Sequence, residues 1–585
     1  MASILWHIGN TTVRTPYRLR EALQALKNSE FHGNLLGTER EEGFAKLLHE
    51  REILNAERIA REQTAEGAGD LGRKWRSALG QLGFVVMHLT HSLKQPIDPK
   101  IEQFVTRVPG LTGRPYEITP NGYRLTRAES TAEQQECFLR ALVAYKIPSV
   151  FENRYDCSPF SPLRFVLRIL LHLEKSGEDA VIHFEEMALF VQRRTPDDGL
   201  EKVVSEILSF REEKEKSENK KKFDEKKLLE AAEGKEAGTL RDYADLNFRY
   251  LKATGLFQAK GRGITLLPEK RSLIELLVSE VEASYDDAIY VNNLWNGAKL
   301  PTDDRIKAID IIHNLCQQLE KYGEKLEIHD ITGQSVEELS QYRYKLEERL
   351  RNKKEQEFAD EQASHWQEIA DFMNAFKGSR GKVVFPNGEM GPIPTGEAPA
   401  YFEWIIWRAF LAINSLANMP WDARRFKIDQ DFLPLSHAPA GGPDMVFEFE
   451  EFVLVVEVTL SASSRQEAAE GEPVRRHVAE IAEAFEDKDK KVYCLFIAIN
   501  IDSNTAETFK IGNWYKKDDT RLPLHIVPVT LNDFVELFRA GFKSGRPDPM
   551  KIRQLLLECR ALSNSDAPEW KKAISTEVKK IAARL

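Results

Sequence analysis

The chain has 585 residues, with 42% hydrophobic and 30% charged side chains and a formal net charge of −10. That length predicts two to four domains, the composition is that of a soluble globular protein, and no apolar run reaches the roughly 20 residues that span a bilayer. The acidic balance gives nucleic-acid binding no general support and leaves it to local basic patches.

The opening stretch, MASILWHIGNTTVR, lacks a signal peptide's apolar core, so a cytoplasmic protein is expected. Disulfides are disfavoured there. Cys137, Cys157, Cys316, Cys494 and Cys559 form no CxxC pair and no zinc spacing. Asn10, Thr11, Thr12 and Arg14 make a polar loop of amide, hydroxyls and guanidinium. Pro16 then starts a helix that carries Arg18. Such a loop suits phosphate and base-edge hydrogen bonds; composition alone favours an ordinary capped helix start.

Residues 41–65 carry a charged helical pattern. DLGRKWRSALGQLGFV predicts a helix ending near Gly83, with Arg73, Lys74 and Arg76 as phosphate contacts. GRPYEITPNGYRLT follows, and its Pro120-Asn121-Gly122 turn between Tyr116-Ile118 and Tyr123-Leu125 reads as a β-wing. Helix then hairpin is a winged-helix layout. Residues 133–195 read as helices around an apolar core helix, PLRFVLRILLHLEK. Residues 201–236 read as a helix pair joined by a solvated charge run.

A second wing is clearer. TLRDYADLNFRYLKATGLF predicts a helix ended by Gly255. Two short strands then pair around Gly261-Arg262-Gly263. Lys260 and Arg262 lie at that tip, placed for a phosphate or the minor groove. Asn247, Arg249 and Lys252 are base or backbone candidates on the helix. Residues 286–330 hold further helices, and 335–377 form a long polar helical pattern that reads as a connector. A helical spacer rising about 1.5 Å per residue would set a fixed distance.

After a Gly- and Pro-rich stretch at 378–400 comes YFEWIIWRAFLAINSL, a helix with Glu403 among aromatics. Glu403 is either an acid aimed at a site or a helix-start residue favoured by the dipole. The chain then reaches Pro443-Asp444, at a turn entering the strand MVFEF. A second strand, FVLVVEVT, follows. Glu457 is a carboxylate in the middle of that apolar strand, costly unless compensated. With Asp444 it can converge on a hard cation, and Mg²⁺ favours one or two carboxylates plus waters and phosphate oxygens. VRRHVAEIAEAFED reads as a helix entered at Glu472-Pro473, with His477 near its start. Arg475 or Arg476 would hold a phosphate. Further strands (KVYCLFIAI, LHIVPVTL) and a helix (FVELFRAGF) imply a mixed sheet.

Pro443-Asp444 followed by Glu457-Val458-Thr459 resembles the PD-(D/E)xK nuclease core, with Thr459 where that pattern has lysine. The resemblance implies the Val458 carbonyl as a further metal ligand and Glu403 as a further acid. It leaves open whether Glu470 or Glu472 acts with His477 on the attacking water. GNTTVRTP, taken with PD…EVT and EGEPVRRH, resembles the AlwI-type restriction endonucleases, over nearly the whole chain.

The expected fold is therefore multidomain α+β. Residues 1–285 form a mostly helical recognition region of two winged-helix-like parts, 1–130 and 131–285. A helical linker covers 286–377 and a PD-(D/E)xK α/β nuclease domain 378–585. The resemblance implies an Mg²⁺-dependent type IIS endonuclease that binds a short asymmetric duplex site and cuts a few base pairs away. It implies double-stranded DNA as partner, a cognate DNA methyltransferase, and a second nuclease domain from a homodimer or a small subunit. Strand-specific nicking, or service as the large subunit of a heterodimeric enzyme, is the nearest alternative. A winged-helix regulator with an inactive nuclease-like domain is the alternative of another class, and a nuclease for damaged or branched DNA a third.

Overall fold

The structure is a computed structural model that describes residues 4–585 apart from 52, 55–64, 89–98, 153–154, 233–236, 281–285, 325–330, 377–381, 387, 389, 394–396, 440, 462–464, 489 and 546. Among the described residues the chain is mostly helical, with one four-stranded sheet and three smaller ones. It divides into two compact units, Met1–Leu350 and Arg351–Leu585.

The first unit is a helical assembly around one large apolar core. The charged pattern expected over 41–65 forms a helix at Thr38–Glu50, and 55–64 lie outside the described residues. The helix containing Arg73 covers Ala65–Gln81. The first expected wing is corrected: Pro120–Arg127 is a helix, α1. Thr119 caps it by accepting the Gly122 N–H, and Pro120 supplies the preset φ of a first turn. The same Pro-Asn-Gly that suits a hairpin turn suits a capped helix start, and the cap decides. Thr131–Ala144, α2, follows behind a Ser130–Glu133 capping box.

The hairpin expected around Gly261-Arg262-Gly263 forms. Strand β1 (Ile182–His183) is joined by helix α3 (Ala237–Lys252) and the antiparallel pair β2 (Phe257–Ala259) and β3 (Gly263–Leu266), in the order β1–β3–β2.

Val336–Glu361, α4, contains the division between the units. Its polarity suggests a solvated connector, but each half is built into a core. Leu339, Leu346 and Leu350 are buried in the first unit, and Phe358 and Ala359 in the second. In the first half, buried Arg343 pairs with Glu136 of α2 and with Glu347 at 3.1 Å, and Tyr344 Oη donates to Glu136 at 2.8 Å. Arg140 reaches the same Glu136 at 2.8 Å and Asp303 at 2.6 Å.

The second unit is organised on a mixed sheet. Helix α5 (Ala398–Ile413) is buried almost throughout and ends where Asn414 turns left-handed at φ 53°. Strands β4 (Met445–Glu448) and β5 (Phe452–Thr459) form an antiparallel hairpin. Helix α6 (Arg465–Ala484) leads to β6 (Lys491–Ala498), and β7 (Ile526–Thr530) closes the order β7–β6–β5–β4. β5, β6 and β7 are parallel neighbours. Phe452 to Val456 are fully buried, so β5 is covered on both faces and reads as a continuous apolar run. Each such side chain contributes about 1.5–3 kcal/mol. Two helices, Pro549–Ala561 and Ala567–Arg584, complete the unit.

The Glu136 cluster gives the first unit a defined acid limit. Burial alone would raise the Glu136 carboxyl, but Arg343 and Arg140 outweigh it and hold the group at about 2, below its ordinary 4.5. A depressed folded pKa stabilises above the unfolded pKa and is lost as pH falls toward the folded one. Stability should thus decline from about pH 4.5 toward pH 2, by about 3 kcal/mol for this group. Glu136→Gln should lower the urea midpoint of the first unit at pH 7 and flatten its acid dependence. A variant that unfolds with unchanged acid dependence would refute this account.

Candidate active site

The second unit brings Asp444 and Glu457 together through strand register. Met445 pairs with Val456, so the next position outward sets Asp444 opposite Glu457. The Asp444 N–H donates to Glu457 Oε2 at 3.2 Å, and the Val458 N–H donates to Asp444 Oδ2 at 2.8 Å. Glu457 is 5% exposed. Gly441, at φ 91°, makes the turn that leads the chain into Pro443-Asp444.

Glu403 projects from α5 to the same place. Its Oε2 accepts the Ala438 N–H at 2.7 Å, and its charge interacts with those of Asp444 and Glu457. It is a buried group facing the other carboxyls, not an exposed helix-start residue.

Helix α6 supplies the other side and differs from expectation. It starts at Arg465, eight residues before Pro473, and runs through that proline. Pro473 costs one helical hydrogen bond, and the helix persists because its face is packed. Gln466 is fully buried and ties the helix down: its Nε2 donates to the Ser461 and Asn500 carbonyls, and its Oε1 accepts the Asp502 N–H. Continuity puts Glu470 and His477 seven residues apart on one face. His477 Nδ1 lies 2.8 Å from Glu457 Oε1. Glu470 raises the pKa of both Asp444 and Glu457 by its charge. Glu472 instead lies on the exposed side, 3.2 Å from Arg476. Of the two acids, the structure turns Glu470 to the cluster.

The electrostatics are those of crowded, buried acids. Burial first, then the Glu457 charge, pushes Asp444 well above the usual carboxylate range. Burial pushes Glu457 up to about 8, and burial and Asp444 raise Glu403. Burial and then the Arg476 charge lower His477. With Nδ1–H donated to Glu457, its buried Nε2 has no hydrogen-bond partner among the described residues. Among the described residues no three His, Cys, Asp or Glu side chains already converge on one metal position. An all-oxygen set of two adjoining carboxyls, which repel until a cation lies between them, nevertheless fits a hard divalent ion.

The expected phosphate-holding arginines are placed elsewhere. Arg475 donates to the Asn513 carbonyl and lies over the Trp514 ring at 5.7 Å, securing the Asn513–Pro523 hairpin. Arg476 lies between Glu472 and Glu480 on the outer face of α6. Arg425, which no motif marks, is the arginine whose charge reaches both Glu457 and His477.

In the first unit, the polar N-terminal loop and α3, more than 200 residues apart in sequence, come together. Gly9, at φ 79°, is required: a Cβ there would lie 2.3 Å from the Tyr250 ring. Tyr250 Oη donates to the Val13 carbonyl at 3.1 Å. Asn10 Oδ1 accepts the Thr12 N–H at 3.0 Å, with Thr11 between them. Arg14 bridges to Asp242 at 2.7 Å and Asp245 at 3.2 Å. Arg18 pairs with Glu21 at 3.5 Å.

Two candidates there are corrected. Asn247 is fully buried, accepting the Ile8 N–H at 2.9 Å and donating to Gln192 at 3.2 Å, so it fastens the N-terminal segment to α3 and cannot touch a base. Arg76 is buried against Glu41 at 2.6 Å and Tyr116, a core ion pair that desolvation keeps from phosphate. Arg249 pairs with Asp245 at 3.0 Å, Lys260 with Asp179 at 2.8 Å and Arg262 with Glu185 at 3.0 Å. Arg73 and Lys74 share Asp70. Lys252 lies in the last turn of α3.

A cleft of about 710 Å³ in the first unit, lined by Tyr123, Arg124, Arg127 and Tyr344 among others, holds none of the carboxylates of the Asp444 cluster. No helix among the described residues is long and apolar enough to cross a membrane.

Comparison with known proteins gives two findings. A family profile described as AlwI restriction endonuclease matches residues 81–537, more than half of the chain. Among solved structures, the small subunit (R.BspD6I2) of the heterodimeric restriction endonuclease R.BspD6I is similar, at 26% identity over 36% of this chain and 98% of that one, with a TM-score of 0.28. No curated protein matches.

If Asp444 and Glu457 share a cation, millimolar Mg²⁺ should raise the unfolding midpoint of the protein relative to EDTA, by about 2–3 kcal/mol at a hundredfold excess over Kd. Asp444→Asn and Glu457→Gln should abolish that rise, and Glu472→Gln should keep it. A rise that persists in both of the first two variants, read by differential scanning calorimetry, would place the ion elsewhere.

Proposed function

The chain belongs to the AlwI restriction endonuclease family, and on that premise we propose that it is an Mg²⁺-dependent type IIS enzyme, recognising a short asymmetric duplex site and hydrolysing a phosphodiester a few base pairs outside it. The family's chemistry is that of a site-specific deoxyribonuclease. The single observation that carries the cleavage reading is the Asp444–Glu457 pair, set side by side by register and served by Glu403, Glu470 and His477.

In this reading Asp444, Glu457 and the Val458 carbonyl hold the ion. When bound, Mg²⁺ lowers the pKa of a water and offsets charge on the phosphoryl oxygens. The chain's own groups do the rest. His477 keeps Glu457 Oε1 in place through Nδ1 and presents a neutral Nε2 as acceptor for a proton of the attacking water. Glu470, on the same helical face, positions that water. Glu403 supplies a further acid from α5.

In this reading recognition falls to residues 1–285 and cleavage to 378–585, and the division between the two units lies inside α4. The loop of Asn10, Thr11, Thr12 and Arg14, together with Arg18, Arg249, Lys252, Lys260 and Arg262, forms the DNA-facing set, and Arg73 and Lys74 add backbone contacts. Phosphates would replace the carboxylates now paired with Arg14, Arg18, Arg249, Lys260 and Arg262. One such centre cuts one strand. Cutting both strands requires a second nuclease domain, by transient dimerisation or from a small subunit.

Asp444→Ala or Glu457→Ala should abolish cleavage, by at least about 10³-fold, while site-specific binding in a mobility-shift assay stays measurable. Plasmid incubated with the native protein and Mg²⁺ should yield discrete fragments or nicks. Run-off sequencing of both strands then gives the offset; ends without a fixed sequence would overturn the restriction reading.

A further inference from the structure

The strand motif ends Glu457-Val458-Thr459, so a hydroxyl stands where the nuclease pattern it resembles has a cation. Thr459 Oγ1 is engaged by the Ser461 N–H at 3.1 Å. Hydrolysis of a phosphodiester adds negative charge to the phosphoryl oxygens, in a place already crowded with acids. A protein cation near the pair is therefore missing from the strand.

The arginines around the site differ in what occupies them. Arg408 is fully buried on Gln362 and Glu368, and Arg475 and Arg476 are held as described. Arg424 makes a two-pronged pair with fully buried Glu355, at 2.8 and 2.7 Å. Its backbone bridges Met445, so this pair anchors the segment next to the Asp444 turn. Arg425 is thereby fixed in place, and its N–H donates to the Asp444 carbonyl at 3.3 Å.

The Arg425 side chain is half-buried and makes no ion pair among the described residues; its Nη1 reaches the Pro443 carbonyl at a long 3.5 Å. It lies across Gly442, where a Cβ would come within 2.2 Å of Nη1. Gly442 thus clears the path of the guanidinium over the Pro443-Asp444 turn. From there its charge bears on both Glu457 and His477.

We propose that Arg425 binds a non-bridging oxygen of the scissile phosphate and stabilises the charge that develops there during hydrolysis, in place of a lysine at Thr459. The inference rests on the nuclease reading of Asp444 and Glu457. Arg425 exchanges no proton and forms no covalent bond; its planar donors suit a phosphate.

The test uses the full-length protein with a duplex carrying its site and Mg²⁺. Arg425→Ala should lower kcat by about 10²–10³-fold, with KM and the unfolding midpoint nearly unchanged. Added guanidinium ion should restore part of that rate, and should not restore Asp444→Ala. Arg425→Lys, which keeps the charge and the stem, should fall between. Arg425→Ala that cuts within about threefold of native, or whose loss lies in KM and ignores guanidinium, overturns the proposal and leaves the nuclease reading intact. If Arg425→Ala fails to fold, Arg425→Lys decides: a selective loss of kcat supports the role and a native rate overturns it. Cleavage that survives Asp444→Ala would defeat the nuclease reading itself, and with it this one.

Discussion

Everything at the centre of the second unit depends on two carboxyl groups being forced together. The β4–β5 register puts Asp444 opposite Glu457, and the backbone then ties each carboxyl to the neighbouring strand. Glu457 is held away from solvent, because β5 is covered on both faces. On the nuclease reading, such a pair is where a divalent cation would bind. The helices answer this constraint: α5 brings a third acid, and α6 brings an imidazole and a fourth.

The first unit follows the opposite rule. Its basic side chains meet carboxylates, so Arg14, Arg249, Lys260 and Arg262 are each matched by an acid. Exposed pairs of this kind contribute little to stability, commonly less than about 1 kcal/mol, and are readily exchanged for phosphate. Buried pairs such as Arg76–Glu41 and Arg343–Glu136 are fixed parts of the core. The difference between the two classes lies in burial and cannot be read from residue type.

Much of the acid cluster was legible in the sequence. Pro443-Asp444, Glu457, Glu403, Glu470 and His477 all lie together, because strand alternation and helical spacing are local rules that the residues obey. Legibility failed where two local signals were equally good. Pro120-Asn121-Gly122 fits a hairpin turn and a capped helix, and the Thr119 cap selects the helix. Pro473 reads as a helix start, yet tertiary packing of Gln466 and Gly471 carries the helix through it. Polar α4 reads as a solvated connector, although its Arg343 and Glu355 are buried by partners far away in sequence.

The sequence alone carried the family and the Asp444–Glu457 pair, since these rest on short motifs and on strand alternation, and it left Glu470 and Glu472 equally open. Only the tertiary structure decided which polar residues are available. Asn247 and Arg76 have the chemistry of DNA contacts but are enclosed by Ile8, Gln192, Glu41 and Tyr116, residues from other segments. Arg425 carries no motif and is placed beside the acids by the Arg424–Glu355 pair and by the space above Gly442. Availability is a property of what surrounds a side chain, and those surroundings come from residues distant along the chain.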